Sequence, residues 1–270
     1  MDKFWFLFVS FSVTCTSSVY AEGINRILNG SPATENQFPY MVSLQRIGLT
    51  PSTNRGHRCG GALVTLQHAV TTASCTLDVV GNNMVPIAPA GHRVFAGSAD
   101  LTNDTSVDRV RRIADITIHP EYDTSIIPNS RLPNDIAVII LGNPFLESTV
   151  AYLPISNLGF TDTISCTLSG WGAQGSSATI STQLIHTQKL TVNQLVCVSI
   201  FSTLSLSMLC AGAPSAAIIE GAAGCTGDEG SPLVCHGNLV GLLVDTSDCS
   251  SVPNIPQVYT RVSSYETWIN

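Results

Sequence analysis

Apolar and polar residues trade places along this chain in runs too short for helices, with turn residues between them. Val42 and Leu44 alternate with Ser43 and Gln45, a period of two that predicts a strand with one covered face. Residues 62–64, 69–72, 93–96, 113–118, 163–168, 184–190 and 239–244 continue the series with small, β-branched or alternating residues. Residues 136–141 are continuously apolar, as in a strand covered on both faces. Many short strands punctuated by glycine and proline predict an all-β sandwich or barrel. Helix signals are few. Residues 193–201 fit one or two turns. At the C-terminus Ser263 and Glu266 have capping-box spacing, with Val262, Tyr265, Trp268 and Ile269 on one side.

Residues 1–21 break this pattern. Lys3 precedes an apolar run over residues 4–13, and Val19-Tyr20-Ala21 ends in a small residue, the layout of a cleaved secretory signal. A membrane anchor is the alternative, but the run falls short of the ~20 residues that span a bilayer. The expected product is secreted and extracellular.

Composition narrows the partners. The 270 residues carry a formal charge of −7 with few charged groups, which argues against nucleic acid or an anionic membrane, since both select clustered Lys and Arg. Of nine cysteines, Cys15 lies in the signal. Cys59, Cys75, Cys166, Cys197, Cys210, Cys225, Cys235 and Cys249 remain, an even set that in an exported chain indicates disulfides. No CxxC pair supports a zinc site. Asn103-Asp104-Thr105 is a candidate glycosylation sequon; Asn29-Gly30-Ser31 is a second.

Five segments in order carry a resemblance. They are Arg26-Ile27-Leu28-Asn29-Gly30, CGGALVTLQHAVTTASC from Cys59, DIAVIIL from Asp135, CTLSGWG from Cys166, and GDEGSPLVC from Gly227 followed by VYTRV from Val258. Together they resemble the signature set of the trypsin/chymotrypsin-like serine proteases (peptidase S1). The resemblance implies two six-stranded antiparallel β-barrels, about 27–145 and 146–260, and a short C-terminal helix. It implies a short propeptide over residues 22–26 and a protease domain over residues 27–270. It also implies the pairings Cys59–Cys75, Cys166–Cys235, Cys197–Cys210 and Cys225–Cys249. The first closes a short loop, worth about 3 kcal/mol of chain entropy.

That family's mechanism uses a hydroxyl nucleophile, an imidazole base and a buried carboxylate. The resemblance places Asp135 at the carboxylate, Ser74 at the imidazole and Glu229 at the nucleophile. A serine hydroxyl is not basic near neutral pH, and a carboxylate is a poor nucleophile toward an amide. Gly227 and Glu229 fall at the oxyanion-hole positions. None of the six histidines falls in the catalytic block, so each is expected to be ordinary surface or structural. The specificity-pocket positions are Ala223, Val244, Asp245, Thr246 and Gln257, and a side chain at Gln257 is expected to narrow or fill the pocket. With Val244 in place of a hydroxyl, Asp135 is expected to rely on backbone donors and water.

The expectation is therefore a non-enzyme: a secreted, catalytically degenerate serine protease homologue acting by protein binding or regulation, with no cofactor and no metal. Its partners are expected to be secreted proteins such as proteases or protease inhibitors, and the chain a monomer. The alternative is a secreted serine-type endopeptidase of weak or atypical activity. Glu229, Asp135 and Asp245 leave open paired-carboxylate chemistry or calcium binding. Arg26, Ile27 and Asp228 carry the family's cleavage-activated switch, or persist as inherited fold features.

Overall fold

The computed structural model describes residues 30–49, 54–125, 131–155, 163–173, 179–212, 223–244, 246 and 255–270. The expected signal and propeptide, Arg26, Ile27, Asn29, Asp245 and Cys249 lie outside them. The strands are β1 (Ser31–Pro32), β2 (Met41–Arg46), β3 (His57–Leu63), β4 (His68–Thr71), β5 (Leu77–Val80), β6 (Asn83–Pro86), β7 (His92–Ala96), β8 (Val110–Ile118) and β9 (Ala137–Leu141). They continue with β10 (Ser165–Gly170), β11 (Ile185–Val192), β12 (Met208–Gly212), β13 (Pro232–Cys235), β14 (Asn238–Leu243) and β15 (Gln257–Arg261).

Two antiparallel barrels of six strands result. The first closes in the order β2-β3-β4-β9-β8-β7. In the second, β10 to β15 close because β11 pairs with both β10 and β12, and β1 joins at β11. Val42, Leu44, Val94, Ile139 and Leu141 fill the first barrel, and Leu168, Leu209, Leu233, Leu243 and Tyr259 the second. A third cluster lies between the barrels, where Met41, Phe95 and Val138 meet Trp171, Leu184 and Leu242.

β2 departs from the alternation pattern. Ser43 and Gln45, on the polar face of β2, are both fully buried. Ser43 meets His57, which reaches Gly227 of the second barrel, while Gln45 Oε1 accepts from Arg93 Nε of the first barrel at 2.8 Å. The contact between the barrels is closest at two glycines. A Cβ on Gly60 would meet Ser231 Oγ at 2.1 Å, and one on Gly230 would meet Thr71 Oγ1 at 2.1 Å. Gly230 also sits at φ +75°, in the left-handed region that glycine tolerates. The loop around Glu229 is thus pressed onto β3 of the first barrel.

The helices are short. In α1 (Gln194–Ile200), the Asn193 side chain caps the first turn by accepting from Leu195 N at 2.7 Å. The C-terminal capping box does not form. Val262–Tyr265 wind as a 3-10 turn, so α2 (Glu266–Ile269) starts at the residue expected to cap it. Tyr265 and Trp268 instead pack on His119, with ring centroids 5.1 and 5.0 Å apart.

Cys59–Cys75, Cys166–Cys235 and Cys197–Cys210 are disulfide-bonded. Cys225 is buried, and its expected partner Cys249 lies outside the described residues. Asn103 is exposed on a single turn, with its Nδ2 donating to Ser98 Oγ at 2.9 Å. The hairpin β5–β6, which the sequence pattern did not single out, follows directly on Cys75 and turns at Gly81 (φ +63°).

Candidate functional site

Ser74 and Asp135 come together at the rim of the first barrel. Ser74 opens a single turn after β4, and Asp135 stands just before β9. The Ser74 amide donates to Asp135 Oδ1 at 2.8 Å, and its hydroxyl donates to Oδ2 at 3.0 Å. Asp135 therefore draws a side-chain hydroxyl as well as backbone donors, against the expectation of backbone and water alone. Its own carbonyl accepts from Thr260 Oγ1 at 2.7 Å. Burial pushes its carboxyl up to about 6, and the Ser74 and Ala73 donors hold it from rising further.

Glu229 lies on the loop of the second barrel that leads into β13. Its Oε2 accepts from the Gly227 amide at 2.6 Å, and its Oε1 accepts from the Thr246 hydroxyl. The amide at an expected oxyanion-hole position is thus taken by the chain's own carboxylate. Gly227 sits at φ +96°. Its carbonyl is 2.9 Å from His57 Nε2, and His57 Nδ1 is 2.6 Å from Ser43 Oγ. A carbonyl only accepts, so Nε2 carries the proton and Nδ1 receives the Ser43 hydroxyl. Burial lowers the His57 pKa to about 4, which keeps the ring neutral. Reading every histidine as ordinary missed this one. The missed signal was the polar pair Ser43 and Gln45 on β2, facing the start of β3.

Asp228 is fully buried. Its Oδ1 accepts from Gly172 N at 2.7 Å and its Oδ2 from Cys225 N at 2.9 Å. A Cβ on Gly172 would come within 2.4 Å of this carboxylate, so the glycine of CTLSGWG makes room for it. Burial raises its pKa to about 7, against the two amides and the Lys189 charge, which lower it.

The pocket positions converge in part. Gln257 is buried, and its amide closes on one peptide unit's neighbourhood: Oε1 accepts from Gly224 N at 2.8 Å and Nε2 donates to Gly224 O at 2.7 Å. The side chain spans the space between β15 and the segment that begins at Ala223, itself half-buried. Val244 extends the wall by donating its amide to Val258 O at 3.0 Å, and Thr246 reaches Glu229. Sequence reasoning missed Lys189. Its ammonium is 3.3 Å from Gln257 Oε1, and the side chain is 1% exposed. Burial lowers its pKa to about 8. The period-two pattern does carry the signal, because Ile185, Thr187, Lys189 and Thr191 all fall on the inward face of β11.

Among the described residues no three His, Cys, Asp or Glu side chains stand close enough to share a metal ion. Ser98 donates its hydroxyl to Glu35 at 3.1 Å.

The comparisons follow the same lines. The family model described as Trypsin matches residues 27–269. Anionic trypsin of Canis lupus familiaris is 30% identical over 250 residues, covering 91% of this chain and 88% of that protein. Trypsin alpha of Drosophila melanogaster is 31% identical over 250 residues, covering 90% and 86%. Among solved structures, neuropsin, a serine protease expressed in the limbic system of mouse brain, superposes with a TM-score of 0.73. It is 27% identical, with 90% of this chain and 97% of that chain covered.

These findings overturn the expectation of a non-enzyme drawn from replaced histidine and serine positions. The similar proteins are named as trypsins, and the molecule holds a hydrogen-bonded Ser43–His57 pair against the loop that carries Glu229. With the family model spanning most of its length and both barrels formed, the chain belongs to the trypsin family.

Proposed function

We propose that this chain is a secreted, divergent trypsin-family protein that acts by binding or regulating other secreted proteins, such as proteases or their inhibitors. One observation carries the reading. Both ends of the cleft are engaged internally, with Ser74 spent on Asp135 and Glu229 on Gly227 and Thr246. In this reading Ser74, Asp135 and Glu229 occupy the family's triad positions, and Gly227 and Glu229 its oxyanion-hole positions. Ala223, Val244, Asp245, Thr246 and Gln257 occupy the pocket. Arg26, Ile27 and Asp228 form a cleavage-dependent switch, and Asn103 carries a glycan. Secretion is supported by the pattern of residues 1–21 and by three disulfides.

A serine-type endopeptidase of weak or atypical activity is the second reading. The relatives named as trypsins favour it, as does the Ser43–His57 pair. One preparation tests both. The secreted chain is cleaved after Arg26, assayed on a broad peptide panel, and passed over immobilised proteases and protease inhibitors. Saturable binding to one of these, changed by cleavage, supports the first reading. Peptide turnover that disappears on Glu229→Ala, or on His57→Gln with Ser43→Ala, sinks it in favour of the second.

A further inference from the structure

We propose that Glu229 is a tethered ligand: its carboxylate fills a carboxylate-binding site made by the Gly227 amide and the Thr246 hydroxyl, and so straps the mouth of the cleft.

The donors are set independently of the guest. The Gly227 carbonyl is pinned from behind by His57 Nε2, which Ser43 orients. Asp228 N donates to Cys225 O at 2.7 Å, Ser231 N to Asp228 O at 3.0 Å, and Gly60 N to Glu229 O at 2.9 Å. These contacts fix the main chain of residues 227–231 with no help from the Glu229 side chain. The Thr226–Gly227 peptide that carries the Gly227 N–H is itself held by Ala173 N, which donates to Thr226 O at 2.8 Å, so the N–H is oriented whether or not a carboxylate is there to receive it. A preorganised amide of this kind selects anions.

The second donor comes from the neighbouring strand of the same barrel. Thr246 follows β14, and its hydroxyl takes the other oxygen of the same carboxylate. Two donors from separate segments thus converge on the two oxygens of one group. Among the described residues no Lys, Arg or His forms an ion pair with Glu229, so neutral donors alone hold the charge. Glu229 itself is half-buried. An outside carboxylate competes with a group held at millimolar effective concentration or above, so the site is closed in the resting molecule. The ligand class is a carboxylate, from a small acid or from the C-terminal end of a peptide.

The test is chemical rescue in the full-length, disulfide-bonded chain. Glu229→Ala empties the site. Thermal unfolding is followed with acetate, with acetamide, and with a blocked dipeptide bearing a free or an amidated C-terminus, all at matched ionic strength. Acetate is expected to raise the midpoint of Glu229→Ala by about 2–4 °C beyond acetamide, and to leave the wild type unmoved. Adding Thr246→Val should remove most of that shift. A larger shift from the free dipeptide than from acetate assigns the site to peptide ends; equal shifts assign it to small acids. Equal effects of acetate and acetamide, or an equal acetate effect on the wild type, overturn the proposal. Should Glu229→Ala fail to fold, Glu229→Gln keeps the shape and weakens the acceptor. Amide exchange at Gly227 must then quicken several-fold, and unchanged exchange overturns the proposal as well.

Discussion

Asp135 is held twice by a single residue, with Ser74 donating its amide to one carboxylate oxygen and its hydroxyl to the other. Hydrogen bonds to a buried charge are stronger than neutral ones, so this pair should be visible in stability. We expect Ser74→Ala to cost about 1.5–3 kcal/mol at pH 7.5, because a nearly fully buried carboxylate loses a donor. The cost should shrink at pH 4.5, where Asp135, with its carboxyl at about 6, is protonated. Urea unfolding at the two pH values measures the difference. An equal cost at both would show that the hydroxyl serves packing rather than the charge.

His57 and the buried acids should pull the pH profile in opposite directions. The His57 pKa falls from 6.5 to about 4 on folding, so the unfolded chain binds more protons in that window and stability rises with pH there. Asp135 and Asp228 are raised from 3.8 to about 6 and about 7. There the folded chain binds more protons, so their contribution is present at low pH and is lost as pH rises through those values. His57→Gln can keep both hydrogen bonds without titrating. Relative to the wild type, it should gain stability as pH falls from 6.5 to 4.5, by up to about 1.4 kcal/mol per pH unit. A constant difference across that range would refute the assignment.

Lys189 is a buried cation beside Gln257 and within reach of the Asp228 charge. Its pKa drops from 10.5 to about 8, so the unfolded chain binds the extra proton between those values and stability rises with pH there. Lys189→Met should abolish that rise. At pH 7 two effects oppose: the variant is relieved of a desolvated ammonium, but Asp228 loses the nearby charge that lowers its pKa. Gln257 keeps its two bonds to Gly224 in the variant. Denaturation midpoints at pH 7, 8.5 and 10 check this, and a variant whose stability still rises between pH 8 and 10 as in the wild type would contradict it.

The pocket prediction concerns Gln257. Because its side chain spans the space between β15 and Gly224, Ser74→His with Glu229→Ser should gain little turnover on standard peptide substrates while Gln257 remains. Adding Gln257→Gly should raise kcat/KM on substrates with apolar side chains by about tenfold or more, roughly 1.4 kcal/mol of transition-state binding. Turnover by the double variant that matches the triple would show that Gln257 does not block the pocket.

The sequence by itself determined the strand-rich class and, through motifs of fixed spacing, the family; the resemblance those motifs carry also implied the three disulfides that form among the described residues. It placed Ser74 and Asp135 in one site, and it identified Gln257 as a side chain where space is expected. It did not determine what those groups touch. Ser43 and Gln45 look solvent-facing in a period-two strand, yet both are buried, Ser43 against the His57 that reaches the second barrel and Gln45 against Arg93. His57 stands 170 residues from the carbonyl it holds, and Lys189 is 68 residues from Gln257. Glu229 meets Thr246 because β13 and β14 pair, which sets the segment before one strand beside the segment after the other. Hydrogen-bond partners and burial depend on contacts between distant segments. Period and composition do not encode those contacts, and strand pairing and barrel packing decided them.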